Sequence, residues 1–420
     1  MKKIIALLLA VVMVLGVATM FAGCDEKTDE KGKVYYLNFK PEFDTALQDL
    51  AKKYTEKTGV EVKIVTAASG DYSNSLNANI EDITIFNIGN PAALADWDSY
   101  ALDLKDSAIA KELATNEFNL YNEAGELKAI GNCYESFGII VNTKLLKDAG
   151  YELSDIKDFA TLKAAAEDIH GRAATLGFDA FTTSGLQDSS SWRFSGHLAT
   201  LPLHYEGVDS AVPTIKGDKL DLFKNIWDLY INNAAADKTG LTGESDAAAE
   251  FKAGKAVFYQ NGTWEYAGLK EAGMTDDQLA MIPIYCGAEG EQNAALCSGT
   301  ENCWAINAKV SEADQKASID FLVWLVSDKE ASAVYVEQLG AVPFKNAPAS
   351  TNKFVADGNA MLAAGKTSIS WAFNYTPNVD SWRATVVTAL AAYSAGTKDW
   401  SEVEKAFVEG WEIEYKAVNG

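Results

Sequence analysis

The spacing of apolar residues changes twice between positions 34 and 66, and no other feature constrains the fold as strongly. Residues 34–39 form a short β-prone run. Apolar residues then recur at helical spacing from Phe43 to Tyr54, and Gly59 ends this segment. Residues 60–66 alternate apolar and polar side chains, as a half-buried strand does. The chain therefore opens with a strand–helix–strand unit, which predicts an open α/β sheet.

The same alternation continues along the chain. Strands are predicted at residues 83–88, 137–141, 178–182, 256–260 and 303–307, with helical segments between them, and helices dominate the end at 317–326, 381–393 and 403–415. A length of 420 residues favours two or three domains, and no Pro- or Ser-rich linker divides the chain. We expect two lobes joined by several crossing strands.

The charge of the chain excludes one class of partner. Lys and Arg number 36 against 59 Asp and Glu, which gives a net charge of −23 and a pI of about 4.6. Such a surface repels phosphate backbones, so we expect no nucleic acid partner. Only three of the basic residues are arginine, and Arg193 and Arg383 both stand in the tripeptide Ser-Trp-Arg.

The amino terminus has the pattern of an exported protein. Lys2 and Lys3 precede a long apolar stretch, and Ala22-Gly23-Cys24 follows it. Residues 1–23 are predicted to be a signal peptide. The residues up to Cys24 resemble the lipobox of bacterial lipoproteins, which implies acylation of that thiol, with residues 24–33 as a charged tether. An uncleaved membrane anchor is the alternative, and both place the remaining chain outside the cytoplasm.

The remaining cysteines and the histidines indicate no metal site. Cys133, Cys286, Cys297 and Cys303 lack the short Cys-x-x-Cys spacing, and three pairings among them stay open beside free buried thiols. The three histidines are scattered. We expect neither a metal nor another cofactor.

Several segments together carry a family resemblance. They are the opening unit through EKTGVEVKIVT, ESFGIIVN at 135–142, FKAGKAVFYQNGTW at 251–264 and NCWAIN at 302–307. With the lipobox, the chain resembles the family 1 extracellular solute-binding lipoproteins of carbohydrate ABC transporters, of the maltodextrin-binding-protein type. This resemblance implies a two-lobed type II periplasmic-binding-protein-like fold, hinged by crossing strands.

The resemblance also implies the domain borders and the partners. The first lobe would comprise 34–134 and 302–328, and the second 135–301 and 329–420, with crossings near 133–137, 298–302 and 327–330. A monomer anchored by its lipid would trap an oligosaccharide between the lobes and deliver it to permease subunits. We expect a binding protein rather than an enzyme.

Sugar chemistry selects the candidate site residues. A pyranose presents an apolar face and a rim of hydroxyls, which flat aromatics and planar polar groups can bind. Trp264 follows a predicted strand end and matches the family's stacking tryptophan. The other candidates near the carboxyl half are Asn261, Trp192, Arg193, Trp371, Asn374, Trp382 and Arg383. A core role for each aromatic is the alternative, and it is our expectation for Trp227, Trp304, Trp324, Trp400 and Trp411.

Polar residues at strand ends complete the predicted site. Glu135 matches an acidic hinge residue of the family. Asn38 and Phe39 end the first predicted strand, and Asp71 and Asn90 follow the second and third, at the sheet edge where α/β proteins bind ligands. Asn and Asp at these positions also cap helices, so that reading stays open.

Two other functions remain as alternatives. A secreted glycoside hydrolase would need two carboxylates facing each other in one cleft, and pairs such as Asp71 and Glu135 satisfy this at the level of sequence. The nucleophile, zinc and phosphate motifs of common enzyme classes are missing from the sequence. A binding protein for a peptide or polyamine would favour acidic pockets over Trp-Arg pairs.

Overall fold

The computed structural model describes residues 31–67, 69–116, 118–234, 246–301 and 303–420. The predicted signal peptide, Cys24 and most of the predicted tether lie outside these ranges. Within the described ranges, no helix combines the length and the apolar character that crossing a bilayer requires.

The first of two six-stranded sheets follows the predicted opening unit. The strands of this sheet, in spatial order, are β2 (Glu61–Thr66), β1 (Lys33–Asn38), β3 (Ile85–Ile88), β11 (Cys303–Ile306), β5 (Leu127–Gly131) and β4 (Leu120–Tyr121). Strands β1 and β2 are parallel, with Lys33 beside Glu61, and β3 joins β1 in parallel. Strand β11 runs antiparallel between β3 and β5.

The second sheet contains β12 (Thr367–Ser370), β10 (Ala294–Gly299), β6 (Glu135–Asn142), β8 (Ala256–Gly262) and β7 (Asp179–Phe181) in this spatial order, with β9 (Leu279–Ile282) beside β6. It is built around the long buried strand β6. Strand β8 runs antiparallel to one edge of β6, while β10 and then β9 pair with the other edge.

Helices cover both faces of each sheet. The α-helices are α1 (Asp44–Thr58), α2 (Ser69–Asn79), α3 (Pro91–Trp97), α4 (Ala108–Lys111), α5 (Thr143–Asp148), α6 (Phe159–Gly171), α7 (Ala173–Leu176), α8 (Thr200–Glu206), α9 (Leu220–Asn232), α10 (Ala247–Lys252), α11 (Glu265–Glu271), α12 (Glu312–Ser327), α13 (Lys329–Leu339), α14 (Lys353–Ala363), α15 (Val379–Ser394) and α16 (Trp400–Asn419). Short 3₁₀ turns (Pro41–Phe43, Leu153–Asp155, Asp188–Ser191, Asp276–Gln278, Glu291–Asn293, Ala372–Asn374) and one π-helical turn (Arg193–His197) complete the elements.

Alternating strand side chains divide each lobe into two cores. Ile85 packs in one core of the first lobe and its neighbour Phe86 in the other, because successive strand residues face opposite sides of the sheet. Ile139 and Ile140 are divided in the same way in the second lobe. The α/β alternation predicted from the apolar spacing is therefore the folded arrangement.

The crossings between the lobes differ from expectation at one place. The chain passes between the sheets after β5 and after β10, close to the predicted positions. The predicted third crossing near 327–330 needs correction, because α13 packs in the first lobe through Ala331 and Tyr335. Asp328 caps α13 by accepting from the amides of Glu330 and Ala331, so the break there is a corner between two helices of one lobe. The chain leaves that core only after Phe344 and enters the second at Phe354.

The packing decides between the disulfide pairings and the free thiols that the sequence left open. Cys133, Cys286, Cys297 and Cys303 are all buried free thiols. Among the described residues, no group of three or more His, Cys, Asp or Glu side chains is placed to hold a metal ion.

Candidate functional site

A cleft of about 590 Å³ lies between the two lobes. The first lobe lines it with Phe39, Asn87 and Asn90, which stand at the ends of β1 and β3, and with Tyr72 in α2, the helix after β2. The opposite wall belongs to the second lobe. Ligands of open α/β sheets bind at such strand ends, so this cleft is the candidate site.

Four aromatic side chains of the second lobe form one continuous wall, here called the aromatic surface: Trp192, Trp264, Trp371 and Phe373. The Trp371 and Phe373 rings lie 4.9 Å apart. Trp264 meets Trp371 edge-on at 6.5 Å, and Trp192 meets Phe373 edge-on at 5.7 Å. Because Trp264 and Trp192 are steeply inclined to the Trp371 and Phe373 rings between them, the wall offers apolar faces in several directions.

Each tryptophan of the aromatic surface lies against a glycine. A Cβ at Gly262 would come within 2.2 Å of the Trp264 ring, and one at Gly299 within 2.9 Å of Trp371. A Cβ at Gly196 would come within 2.6 Å of Trp192. The strand ends of β8 and β10 therefore carry glycine where an indole must lie directly on the backbone.

His197 supports the aromatic surface from behind as a neutral ring. It stacks on Phe137 at 4.1 Å and meets the edge of Trp264 at 5.7 Å. Its Nδ1 lies 3.0 Å from the Gln260 amide nitrogen. Burial, with smaller contributions from Arg193 and Arg383, lowers the pKa of His197 to about 3. The imidazole therefore carries no charge near neutral pH.

The two arginines of the Ser-Trp-Arg tripeptides are buried and hold the second lobe together. Arg193 donates from Nε to the Gln260 carbonyl at 2.8 Å and from a terminal nitrogen to the Thr182 hydroxyl at 3.2 Å. Arg383 donates to the hydroxyls of Ser191 and Ser195. Burial lowers the pKa of Arg383 to about 10. These donors are used within the protein, so a ligand meets mainly the rings that they position.

A buried ion pair joins the first lobe to the start of β6. The Lys40 ammonium lies 2.5 Å from the Glu135 carboxylate and 3.5 Å from Glu42. Burial alone would lower the pKa of Lys40, but the Glu135 and Glu42 carboxylates raise it well above its usual value. Burial raises the pKa of Glu135, against the pull of Lys40. Lys40 therefore stays protonated at the cleft, and the neighbouring carboxylates compensate its charge.

Two amide side chains keep unused polar atoms at the cleft. Asn87 is 6% exposed, and neither atom of its amide makes a hydrogen bond with a described residue. Asn374 donates to the Thr300 carbonyl at 3.0 Å, whereas its Oδ1 accepts from no described residue. Buried polar atoms without partners are costly, and at a cleft they are available to a ligand.

The structure places eight of the predicted site residues on the cleft wall. They are Phe39, Asn90, Trp192, Arg193, Asn261, Trp264, Trp371 and Asn374. Asn90 has a second role, because its Oδ1 accepts from the Ala93 amide at 2.9 Å and caps α3.

Five predicted site residues lie elsewhere and need correction. Trp382 is 1% exposed and packs on Phe407 and Trp411, since the face of α15 that carries it meets α16. Arg383 lies behind Trp192 rather than on the cleft wall.

The other three are Asn38, Asp71 and Glu135. Asn38 is fully buried and donates to the Lys40 carbonyl and the Thr66 hydroxyl, so it ties β1 to β2. Asp71 is exposed on α2, away from the cleft wall. Glu135 lies below the cleft, paired with Lys40.

The predictions omitted several residues that line the cleft. Phe373 stands between the predicted Trp371 and Asn374, and Lys40 directly follows the predicted Phe39, so proximity in sequence could have indicated both. Asn87 precedes the end of β3 by one residue. No sequence signal marks His197, Tyr259 or Glu301, which reach the cleft only through tertiary packing.

The burial of most of the tryptophans predicted to be core residues agrees with expectation. Trp227, Trp304, Trp400 and Trp411 are buried, and Trp324 is half-buried against Tyr54 and Phe321.

Comparisons with known proteins agree with this architecture. The family model described as bacterial extracellular solute-binding protein matches residues 49–364. No curated protein matches the chain. The GacH receptor of Streptomyces glaucescens GLA.O, solved unliganded and with acarbose, is 20% identical, covers 92% of this chain and 98% of its own, and has a TM-score of 0.66.

Two further solved structures are similar. Maltose-bound MalE3 of T. maritima is 15% identical, with coverage of 91% and 99% and a TM-score of 0.70. A Streptococcus pneumoniae solute-binding protein in complex with the blood group A-trisaccharide is 20% identical, with coverage of 90% and 99% and a TM-score of 0.65. These similarities confirm the two-lobed type II fold. Because the family model spans well over half of the sequence, this chain belongs to the bacterial extracellular solute-binding proteins.

Proposed function

We propose that this protein binds an oligosaccharide in the cleft and delivers it to the permease subunits of an ABC transporter. The observation that carries this proposal is the aromatic surface, with Trp192, Trp264 and Trp371 each seated on a glycine. Apolar faces of this kind suit the C–H face of a sugar ring. Similar proteins were solved with acarbose, maltose and a trisaccharide, which supports the same ligand class here.

An oligomer suits the cleft better than a single sugar. The aromatic surface offers several ring faces, and Phe39 and Tyr72 stand edge-to-face at 5.2 Å on the opposite wall. Each sugar ring of an oligosaccharide needs an aromatic face on which to stack. The unpaired atoms of Asn87 and Asn374, one in each lobe, suit the hydroxyl rim of such a ligand.

We further propose that the mature protein is a monomer anchored by an acylated Cys24 on the outer face of the membrane, after removal of residues 1–23. The lipobox-like sequence supports this proposal. Mass spectrometry of the protein made in a bacterial host should detect a diacylglyceryl group on an amino-terminal Cys24. Cys24→Ser should release the protein into the medium. Membrane retention of that variant would contradict the anchor.

Calorimetry against a panel of oligosaccharides tests the binding function. We expect at least one oligosaccharide to bind with a dissociation constant in the micromolar range or tighter and to be recovered intact. Recovery of shorter products would favour a glycoside hydrolase instead. Binding of peptides or polyamines, with no response to any saccharide, would contradict the proposal.

A further inference from the structure

The charged side chains on the cleft wall are mostly acidic. Two basic residues face five acidic ones on that wall, namely Lys40 and Arg193 against Glu42, Asp246, Glu265, Glu301 and Asp380. Both basic groups are already used, since Lys40 pairs with Glu135 and Arg193 donates to the Gln260 carbonyl. A neutral ligand would leave this acidic excess uncompensated.

Four of the five carboxylates have partners within the protein. Glu42 faces Lys40 at 3.5 Å, and Glu265 accepts from the Asn261 amide at 2.9 Å. The other two serve at helix starts: Asp246 accepts from the Ala249 amide and caps α10, and Asp380 pairs with Arg383 at 3.5 Å.

Glu301 is different. It is half-buried in the second crossing between the lobes, and it makes neither a hydrogen bond nor a salt bridge with any residue in the described parts of the chain. Lys40 acts on it only at longer range. A half-buried carboxylate without a partner is unfavourable in the free protein and is available to a cationic group.

The unused polar atoms around Glu301 are mainly acceptors. Asn374 is tied to the carbonyl of Thr300, the neighbour of Glu301 in sequence, and its Oδ1 accepts from no described residue. Across the cleft, the buried amide of Asn87 leaves both its Oδ1 and its Nδ2 unused within the described chain, so it can accept from or donate to a ligand. The carboxylate of Glu301 and the Oδ1 of Asn374 can only accept, so this part of the cleft favours a ligand group that donates.

We propose that the oligosaccharide bound in this cleft carries a primary amine, and that its ammonium group binds the Glu301 carboxylate. An ammonium offers three donors, no acceptor and one positive charge, which matches the unused groups around Glu301. The faces of the aromatic surface would attract the same cation. This inference rests on the proposed function and narrows its ligand class to amino sugars.

The ionisation of Glu301 agrees with this assignment. Burial raises its pKa to about 7, with Glu135, Glu42 and Asp380 adding to the increase and Lys40 opposing it. An ammonium in contact with the carboxylate would lower that pKa again. Binding near neutral pH should therefore release a proton from the protein, which calorimetry detects as a dependence of the heat on the buffer.

Matched ligand pairs test the inference. The probes are oligosaccharides of glucosamine with β-1,4 or α-1,4 linkages. Each is compared with its N-acetylated counterpart and with the glucose oligosaccharide of the same linkage and length. We expect the amine to bind at least tenfold more tightly in one pair at pH 6.5. Glu301→Gln should reduce that ratio to about one. Glu289→Gln removes the same charge from an exposed position outside the cleft, and it should keep the wild-type ratio.

The outcomes separate this inference from the proposed function. If neutral oligosaccharides bind as tightly as their amino counterparts in every pair, the amine assignment is overturned while carbohydrate binding stands. If no saccharide of any kind binds, the proposed function fails as well. A preference for amines that survives Glu301→Gln, with the melting temperature of that variant unchanged, would overturn the role of Glu301.

Discussion

The guanidinium of Arg383 lies 3.5 Å from the centroid of the Trp192 ring. One face of the indole therefore rests on a buried cation, which is itself held by the hydroxyls of Ser191 and Ser195. Trp192 lines the cleft and Arg383 does not. The arginine thus positions a ring of the aromatic surface without reaching the ligand.

Replacing this planar cation should disturb the ring. Arg383→Lys retains the charge but loses the stacked, forked donor, so we expect sugar affinity to fall about tenfold and stability by about 1–2 kcal/mol. Titration calorimetry and urea unfolding measure the two effects. Arg172→Lys, at the residue that follows α6 and far from the cleft, serves as the control for affinity and should leave it unchanged. Unchanged affinity in Arg383→Lys would show that the stack has no part in binding.

Trp264 provides the most direct test of the aromatic surface. Because its ring is half-buried at the cleft, Trp264→Ala should weaken oligosaccharide binding by about 100-fold or more, since a stacked ring contributes several kcal/mol. The melting temperature should change by only a few degrees. Tyr121→Ala, which removes a 48% exposed ring outside the cleft, is the matched control. A large loss of stability with normal affinity would identify Trp264 as a core residue.

A single methyl group tests how the glycine positions the ring. Gly262→Ala would place a Cβ 2.2 Å from the Trp264 ring, so the indole must move and affinity should fall at least about tenfold. At Gly171 a Cβ would meet nothing within 4 Å, so Gly171→Ala should leave binding unchanged. Equal affinities in the two variants would contradict a ring held by its contact with the strand.

The Lys40–Glu135 pair should be important for stability. Lys40→Met leaves the Glu135 carboxylate buried without its cation, which should cost about 3–5 kcal/mol in denaturant unfolding. The double variant Lys40→Met/Glu135→Gln should recover much of this loss, because the buried charge is gone. Lys53→Met breaks an exposed ion pair with Glu330 and should leave the unfolding midpoint unchanged. A double variant as unstable as the single one would point to packing rather than charge.

Glu301 should make the stability of the ligand-free protein depend on pH. Its pKa is about 7 in the folded state against 4.5 for an ordinary Glu, so the folded state holds the proton more tightly. The stabilising contribution is therefore complete below pH 4.5 and is lost as the pH rises towards 7. Compared with the wild type, Glu301→Gln should gain about 3 kcal/mol between pH 4.5 and pH 8. A constant difference between the two proteins across this range would refute the raised pKa.

Local patterns were sufficient for the elements of the fold. The helical spacing from Phe43 to Tyr54 and the stop at Gly59 correspond to α1, which ends at Gly59 in the left-handed conformation with φ of 73°. Alternation at 60–66 corresponds to β2. Such signals depend on neighbours within a few residues, so the chain itself carries them. The predicted position of the third crossing was wrong because Asp328 marks only the start of a new helix. The sequence of such a helix cap is the same whether the helix stays in its lobe or passes to the other one.

Sequence by itself determined the α/β lobes, the family and the position of Trp264 after a strand end. Tertiary structure alone decided which of the remaining rings and charges face the cleft. Trp192 and Trp382 stand in identical tripeptides, yet one lines the cleft and the other packs between α15 and α16. Glu301 likewise became a candidate only when its neighbours were known. Burial and the absence of a partner depend on residues distant in sequence, which no local pattern records.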